Sequence, residues 1–237
     1  VLESAPKMSR TIAFVFARGG SKGLPGKNIR ALCNKPLIQY SIDCAQTSEL
    51  IDDIYVSTDD VDIAHVARKG GAKVIDRPKE LATDDSPEWL SWQHAITWVT
   101  QHTGAFETFV SLPATSPLTT VADVNSAIFR LKQSDADICL SVTPSNHHPS
   151  FNMVTLDDGQ YASLMFNSES KVTRRQDAPK AYNITTCVYA ATTDFVLTAK
   201  GLFDGKATAI EVPRERAVDI DDIIDFKFTE LLKKELG

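Results

Sequence analysis

Ile12-Ala13-Phe14-Val15-Phe16 runs straight into Ala17-Arg18-Gly19-Gly20-Ser21-Lys22-Gly23-Leu24-Pro25-Gly26-Lys27-Asn28. The unbroken apolar run reads as a fully buried strand. Beyond the glycines, Pro36-Leu37-Ile38-Gln39-Tyr40-Ser41-Ile42 reads as a helix start with proline near its first turn. The glycine-rich stretch is therefore a loop leaving a strand end and leading towards a helix. Such a loop suits a polyphosphate. Glycines let the backbone come close, and successive N–H groups can point at phosphate oxygens. Arg18, Lys22 and Lys27 add the cationic charge that a run of phosphates needs. A Walker loop is excluded, because Ser21 stands where its first glycine belongs and Asn28 replaces its Ser/Thr. The dinucleotide fingerprint also fails, with Ser21 two places after Gly19. The competing reading is a Gly/Lys surface loop without a ligand.

Strands and helices alternate after this loop. A helix at 36–46 leads to strand 53–57, and a helix at 60–69 to a short strand at 73–75. A helix at 87–101 leads to strand 106–112, and a helix at 121–133 to strand 137–142. The pattern predicts an α/β fold: a mostly parallel, doubly wound sheet with right-handed crossovers and ligands at the carboxyl ends of its strands. The rhythm breaks at about 143–183. Two short strands are expected there around Asp157-Asp158-Gly159-Gln160, followed by a basic run from Lys171 to Asp177. This stretch reads as a β-rich insertion, too poor in large apolar residues to core itself. The sheet resumes at 184–189, and a strand near 207–212 and a helix near 221–235 close the chain. Residues 8–237 are expected to be one domain, with 1–7 a remnant of expression.

The chain has 237 residues and a net charge of −6, which argues against a general nucleic-acid or membrane-surface binder. No apolar run approaches a membrane span and no signal peptide is visible. The four cysteines, Cys33, Cys44, Cys139 and Cys187, are widely spaced without C-x-x-C. Free thiols in a reducing cytoplasm are the expectation. Asp219 and Asp221 alternate about Ile220, so an extended backbone puts both carboxylates on one side. Two such carboxylates are held together by a cation, with magnesium on substrate phosphates the usual one. The competing reading is that Asp221 or Asp222 caps the last helix, with Asp222 and Asp225 on its surface. Arg77 follows a strand and is either a cleft guanidinium or a surface arginine. His147-His148 lacks a third ligand of suitable spacing, and no G-x-S-x-G elbow supports a serine hydrolase.

Taken in order, five motifs resemble the acylneuraminate cytidylyltransferases, the CMP-sialic acid synthetase type. They are this loop, Ser57-Thr58-Asp59, Arg77-Pro78-Lys79-Glu80-Leu81-Ala82, Ala114-Thr115-Ser116-Pro117-Leu118 and Asp219-Ile220-Asp221. The resemblance implies transfer of CMP from CTP to the anomeric hydroxyl of a 2-keto-3-deoxy sugar acid, with release of pyrophosphate. It implies nucleotide contacts from Ala17, Arg18, Gly19, Ser21, Lys22, Asn28 and Arg77, with Arg18, Lys22 and Asp221 in catalysis. It assigns Mg2+ to Asp219 and Asp221. Sugar-acid contacts fall to Thr115, Ser116, Tyr189 and Arg175, with adjacent Arg174 able to replace Arg175 as a carboxylate clamp. It also implies a homodimer in which the insertion reaches its partner.

Two positions depart from the family pattern. Pro113 stands where the family commonly has glutamine, and Asn183 where the sialate enzymes carry arginine. With Arg-Arg-Gln-Asp-Ala-Pro-Lys at 174–180, the resemblance leans to relatives handling nine-carbon acids such as legionaminate. An eight-carbon acid of the Kdo type goes with a different first loop, Ser-Ser-Arg-Leu-Pro-Gly-Lys. The alternatives are a nucleotide-binding homologue without transfer activity, or nucleotidyl transfer from UTP or GTP to another sugar class.

Overall fold

β1 (Thr11–Phe16) lies inside a seven-stranded sheet, with neighbours on both edges, and sends alternate side chains to its two faces. Ala13 and Val15 pack under α1 (Leu37–Thr47), α2 (Val61–Lys69) and α4 (Val121–Gln133), against Ile38, Ile63 and Ile128. Ile12 and Phe14 pack on the other face under α3 (Glu88–Thr103) and α5 (Thr193–Thr198), against Trp92, Ile96 and Phe195. A strand covered on both faces needs the continuous apolar sequence found here. This computed structural model describes residues 10–166 and 179–235.

The remaining strands of the sheet are β4 (Asp53–Thr58), β5 (Lys73–Asp76), β6 (Thr108–Ser111), β7 (Ile138–Pro144), β10 (Tyr182–Thr192) and β11 (Ala207–Glu211). Their order is β11-β7-β10-β6-β1-β4-β5. Every pairing is parallel except those of β10, which runs antiparallel between β6 and β7. The expected doubly wound, mostly parallel sheet is therefore present. From β1 the chain steps first to β4 and β5, then back across to β6. That reversal opens a crevice between the ends of β1 and β6, where an open α/β sheet takes its ligands.

Local chemistry sets the helix ends. Asp60 accepts the N–H groups of Asp62 and Ile63 at 2.9 Å each and starts α2. Thr120 and Asp123 form a reciprocal capping box on α4. The strand–helix alternation fits the sequence reading with ends shifted by a few residues. The hairpin β2 (Ala31–Leu32) and β3 (Lys35–Pro36) was not foreseen; its turn uses Cys33 and Asn34 at φ 46° and 66°. Between β7 and β10 the structure has the expected short pair, β8 (Val154–Leu156) and β9 (Ala162–Leu164). Asp157 Oδ1 ties their turn by accepting the N–H groups of Gly159 and Tyr161 at 2.9 Å each. β7 and β10 pair outward to Pro144 and Tyr182, so the stretch between them narrows to 145–181. All four cysteines are unpaired, and burial pushes the Cys44 thiol up to about 12 and Cys139 up to about 11.

One expectation is corrected at the last helix, α6 (Ile223–Glu235). Asp222 is exposed and is also its cap, one of the two capping candidates of the sequence reading, accepting the N–H groups of Ile224 at 2.7 Å and Asp225 at 3.0 Å. Asp225 folds back to accept those of Asp221 and Asp222 at 3.0 and 3.1 Å. Capping falls to this pair because the spacing lets each carboxylate reach the other's amide. The Asp221 side chain is left out of the cap.

Candidate active site

The loop after β1 is anchored by its own middle. Leu24 is buried with Leu32, Leu37, Ile220 and Phe226, an apolar plug that ties the loop to α6 and to the strip before it. Lys27 Nζ donates to the Ile220 carbonyl at 2.5 Å and sits 3.4 Å from Asp221 Oδ1. Asn28 is buried, and its amide donates to the Arg18 carbonyl at 3.0 Å. Gly23 presses on the 219–221 strip so closely that a Cβ there would overlap the Asp221 carbonyl oxygen. The Ala17 amide bonds the Ser57 carbonyl at 3.1 Å, and the Gly19 amide donates to Asp59 Oδ1 at 3.1 Å. Gly20 has open space around it and Lys22 is exposed.

Arg77 fills the floor beside this loop. It is buried, donates from Nε to Ser57 Oγ at 3.1 Å and from Nη2 to the Ser57 carbonyl at 2.7 Å, and lies over the Phe16 ring. Burial lowers its pKa, opposed by the charges of Asp59 and Glu88. A cavity of about 250 Å3 opens here, lined by residues that include Phe16, Arg18, Arg77, Asp84, Ser86 and Glu88. Glu88 is open to solvent at its mouth yet hemmed in by the cleft walls. That surrounding protein raises its carboxyl pKa, against the pull of the Trp92 indole and Arg77. A larger cavity of about 700 Å3 lies at the root of the 145–181 stretch, among Ser145, His148 and Tyr182. None of Arg18, Lys22 and Lys27 lines it, whereas Arg18 lines the smaller cleft, with Lys22 joined to its rim through Asp84.

The far wall is built by β6, β10 and the 219–221 strip. The Ile220 amide bonds the Thr115 carbonyl at 2.9 Å, docking the strip on the loop after β6. The β7–β10 register shifts between Thr185 and Tyr189, and this irregularity brings Thr186 Oγ1 to 2.7 Å from Ser116 Oγ. Pro113, where the family glutamine was expected, offers its carbonyl to Ser41 Oγ at 3.0 Å. Tyr189 is buried on β10 with its ring 5.5 Å from Trp92. Burial, then the charges of Glu88 and Asp219, push its hydroxyl up to about 12.

Asp219 is the unusual group of this wall. Its Oδ1 is buried without a hydrogen-bond partner among the described residues. Burial raises its carboxyl pKa; the Thr115 hydroxyl opposes this, Asp221 adds to it, and Lys27 and Thr186 oppose it more weakly. Asp221 is 80% exposed on the same strip. Among the described residues no cluster of three or more His, Cys, Asp or Glu side chains is suited to an ion. A pair of carboxylates, one with an orphaned oxygen and the two mutually repelling, fits an ion whose shell is completed by substrate phosphate and water.

The sequence-derived residues thus converge: Ala17, Arg18, Gly19, Ser21, Lys22, Asn28 and Arg77 on one side, Thr115, Ser116, Tyr189, Asp219 and Asp221 on the other. Arg174 and Arg175 lie outside the described residues. Gly23, Asp84 and Glu88 were missed. Only the tertiary contact marks Gly23 among the loop glycines, and an acidic residue in a turn or at a helix start carries no signal until its partners are known.

The chain is 33% identical to post-translational flagellin modification protein B of Campylobacter coli, over 96% of this chain and 97% of that one. It is 35% identical to the CMP-N,N'-diacetyllegionaminic acid synthase of Campylobacter jejuni, over 95% of each chain. It is 31% identical to the N-acylneuraminate cytidylyltransferase of Escherichia coli, over 96% of this chain and 53% of that one. The fold resembles a CMP:2-keto-3-deoxy-manno-octonic acid synthetase solved with CTP, at TM-score 0.71 and 17% identity, covering 97% of this chain and 100% of that one. A 4-diphosphocytidyl-2C-methyl-D-erythritol synthase of Anaerococcus prevotii gives TM-score 0.67 at 13% identity, covering 95% and 96%. With its loop, crevice and carboxylate strip in this arrangement, the chain belongs to the cytidylyltransferase family, whose sequence profile matches it over residues 12–234.

Proposed function

We propose that this enzyme transfers CMP from CTP to the anomeric hydroxyl of a sialic-acid-like 2-keto-3-deoxy sugar acid, releasing pyrophosphate. The observation that carries the reading is the closure of the cationic loop on the Asp219–Asp221 strip at the sheet's switch point. The nucleoside enters the small cavity beside Arg77, and the triphosphate lies along the loop under Arg18 and Lys22. The sugar's anomeric oxygen attacks the α-phosphorus as the bond to the β-phosphate oxygen breaks. The hydroxyl proton passes to solvent, and the charge gathers on the departing pyrophosphate. The loop's work is positioning and charge stabilisation rather than covalent catalysis. Asp219 and Asp221 are the residues that would hold Mg2+. The ion neutralises phosphate charge when bound.

The similarity to a legionaminic acid synthase supports a nine-carbon acceptor, whose carboxylate is assigned to Arg175 or Arg174, with Tyr189, Thr115 and Ser116 lining its site. We read the enzyme as a homodimer. Val154, Leu164, Met165 and Phe166 are exposed on the stretch between β7 and β10, and a lone two-stranded pair does not bury such a surface. No described helix is long and apolar enough to cross a membrane, and a biosynthetic role in the cytoplasm fits the substrates. Pyrophosphate release with CTP, magnesium and a panel of sugar acids tests the reading, with UTP and GTP as the exchanged nucleotides. CTP binding without release under every acceptor points to a nucleotide-binding homologue instead. In that assay Lys22→Ala is expected to lower kcat about a hundredfold, because its charge counts most as pyrophosphate leaves. A raised KM alone means that Lys22 binds ground and transition states equally.

A further inference from the structure

Asp84 is a residue of this cleft that the transfer chemistry does not use. It sits in the turn before α3, and its two oxygens each take one loop cation. Arg18 Nη1 lies 2.6 Å from Oδ1, and Lys22 Nζ lies 2.5 Å from Oδ2. Arg18 also donates to the Ala82 carbonyl at 3.4 Å. Lys22 first and Arg18 second hold the Asp84 carboxyl below its ordinary pKa. On the opposite side of the loop, Asp59 holds the Gly19 amide. Three donors of the loop, the Arg18 guanidinium, the Lys22 ammonium and the Gly19 amide, are thus gathered around carboxylates. A carboxylate bridging two cations presents the same two-oxygen fork that a phosphate presents.

We propose that Asp84 is a positioning residue that stands in for phosphate. It keeps Arg18 and Lys22 converged while the site is empty, and it yields them to the nucleotide. The inference rests on the reading of the loop as the CTP site. A triphosphate brings enough charge to displace one exposed carboxylate from both cations. A single phosphate does so poorly. After transfer, Asp84 competes with pyrophosphate for the same two cations and hastens its release.

The sign of the effect separates this role from a merely structural one. Loss of a structural support weakens ligand binding; loss of a competitor tightens it. Calorimetric titration of CTP, pyrophosphate and inorganic phosphate into wild type, Asp84→Asn and Asp84→Glu reads that sign, with thermal unfolding as the check on folding. Asp84→Asn is expected to bind CTP and pyrophosphate about three- to tenfold tighter, the range of two exposed ion pairs. Inorganic phosphate should bind measurably, and kcat should fall where pyrophosphate release limits turnover. Asp84→Glu keeps the carboxylate and should stay near wild type. Asp84→Ser serves as the second variant if Asp84→Asn fails to fold, with the same sign expected. Unchanged or weaker pyrophosphate binding in a folded variant, beside wild type that binds CTP normally, overturns the proposal alone. Wild type that binds no CTP overturns it together with the nucleotide reading.

Discussion

The loop from Ala17 to Asn28 and the stretch from 145 to 166 are both long, largely irregular excursions from strand ends, and they are held in opposite ways. The first is glycine-rich and cationic, yet Leu24 plugs it into the core and Lys27 and Asn28 bind it to backbone carbonyls of its own chain. The second carries more large apolar residues, yet Val154, Leu156, Tyr161 and Phe166 are each more than half exposed. Composition alone would have ranked the two the other way. A loop is ordered by where its few apolar and polar anchors land, and an apolar stretch without a landing place in its own chain needs another surface. The contrast predicts that damage to the first region acts within one protomer and damage to the second acts through assembly.

The largest effect is expected at the strip on which the loop closes. Asp219→Asn keeps the shape of the side chain but removes the charge beside the orphaned Oδ1, and Asp221→Asn removes its exposed partner. Each should lower kcat at least about a hundredfold, with a preserved unfolding temperature, as expected for lost metal ligands. Asp219→Asn should be the more severe, because its oxygen is the one committed to the cleft. Normal turnover of both variants in limiting magnesium would remove the strip from the mechanism.

A glycine pair tests the closure itself. At Gly23 an added Cβ meets the backbone oxygen of Asp221, which cannot swing aside as a side-chain tip does; at Gly20 it meets nothing. Gly23→Ala should cost about tenfold to a hundredfold in kcat/KM, the scale of a displacement near 1 Å in a positioned site. Gly20→Ala should stay within about twofold. Equal losses in both would mean that loop flexibility matters and the contact does not.

These two predictions mark where the sequence was legible. The strand–loop–helix rhythm announced the mostly parallel sheet, and the motifs singled out Arg18 and Arg77 of the small cleft but not Asp84, Ser86 or Glu88 beside them. Local residue types carried that information: an apolar run, a glycine cluster, a helix cap. What stayed hidden depends on contacts between distant segments. Nothing in Leu24 says that it pairs with Ile220, or in Gly23 that it meets Asp221. The antiparallel sense of β10 was hidden too, because a buried strand reads the same in either direction. Asp225 was read as a plain surface residue, and the choice between Asp221 and Asp222 as cap stayed open, because capping depends on where the first helical amide falls, and that boundary lay two residues later than expected.

The second region is broken by charge. Leu164→Glu with Phe166→Glu should leave the unfolding of the protomer nearly unchanged, since both side chains are already exposed. Light scattering should then report monomer in place of dimer, with activity reduced about tenfold if the partner completes the sugar site. Mixing this variant with Lys22→Ala should restore part of the activity by exchange of subunits. A wild type that is monomeric and fully active at assay concentration would end the comparison, leaving this apolar face without its explanation.

The smallest effect is in the pH profile, and it reports on how the loop touches the strip. Burial and the neighbouring Asp221 raise the Asp219 carboxyl, whereas Lys27 favours its ionised form. Because the folded pKa is raised, Asp219's contribution to stability is present at low pH and lost as pH rises through that pKa. Activity runs the other way, since the ionised form is the one that holds a cation. The acid limb of kcat/KM, which reports the free enzyme, should therefore lie above the ordinary carboxylate range. Lys27→Ala removes the opposing cation and should move that limb to higher pH, and added magnesium should move it back by competing with the proton. Glu88 also has a raised carboxyl, but its opposing charge is Arg77, so its titration should ignore Lys27. A limb that stays in place in Lys27→Ala and shifts in Glu88→Gln would assign the ionisation to Glu88 and break the link between loop and strip.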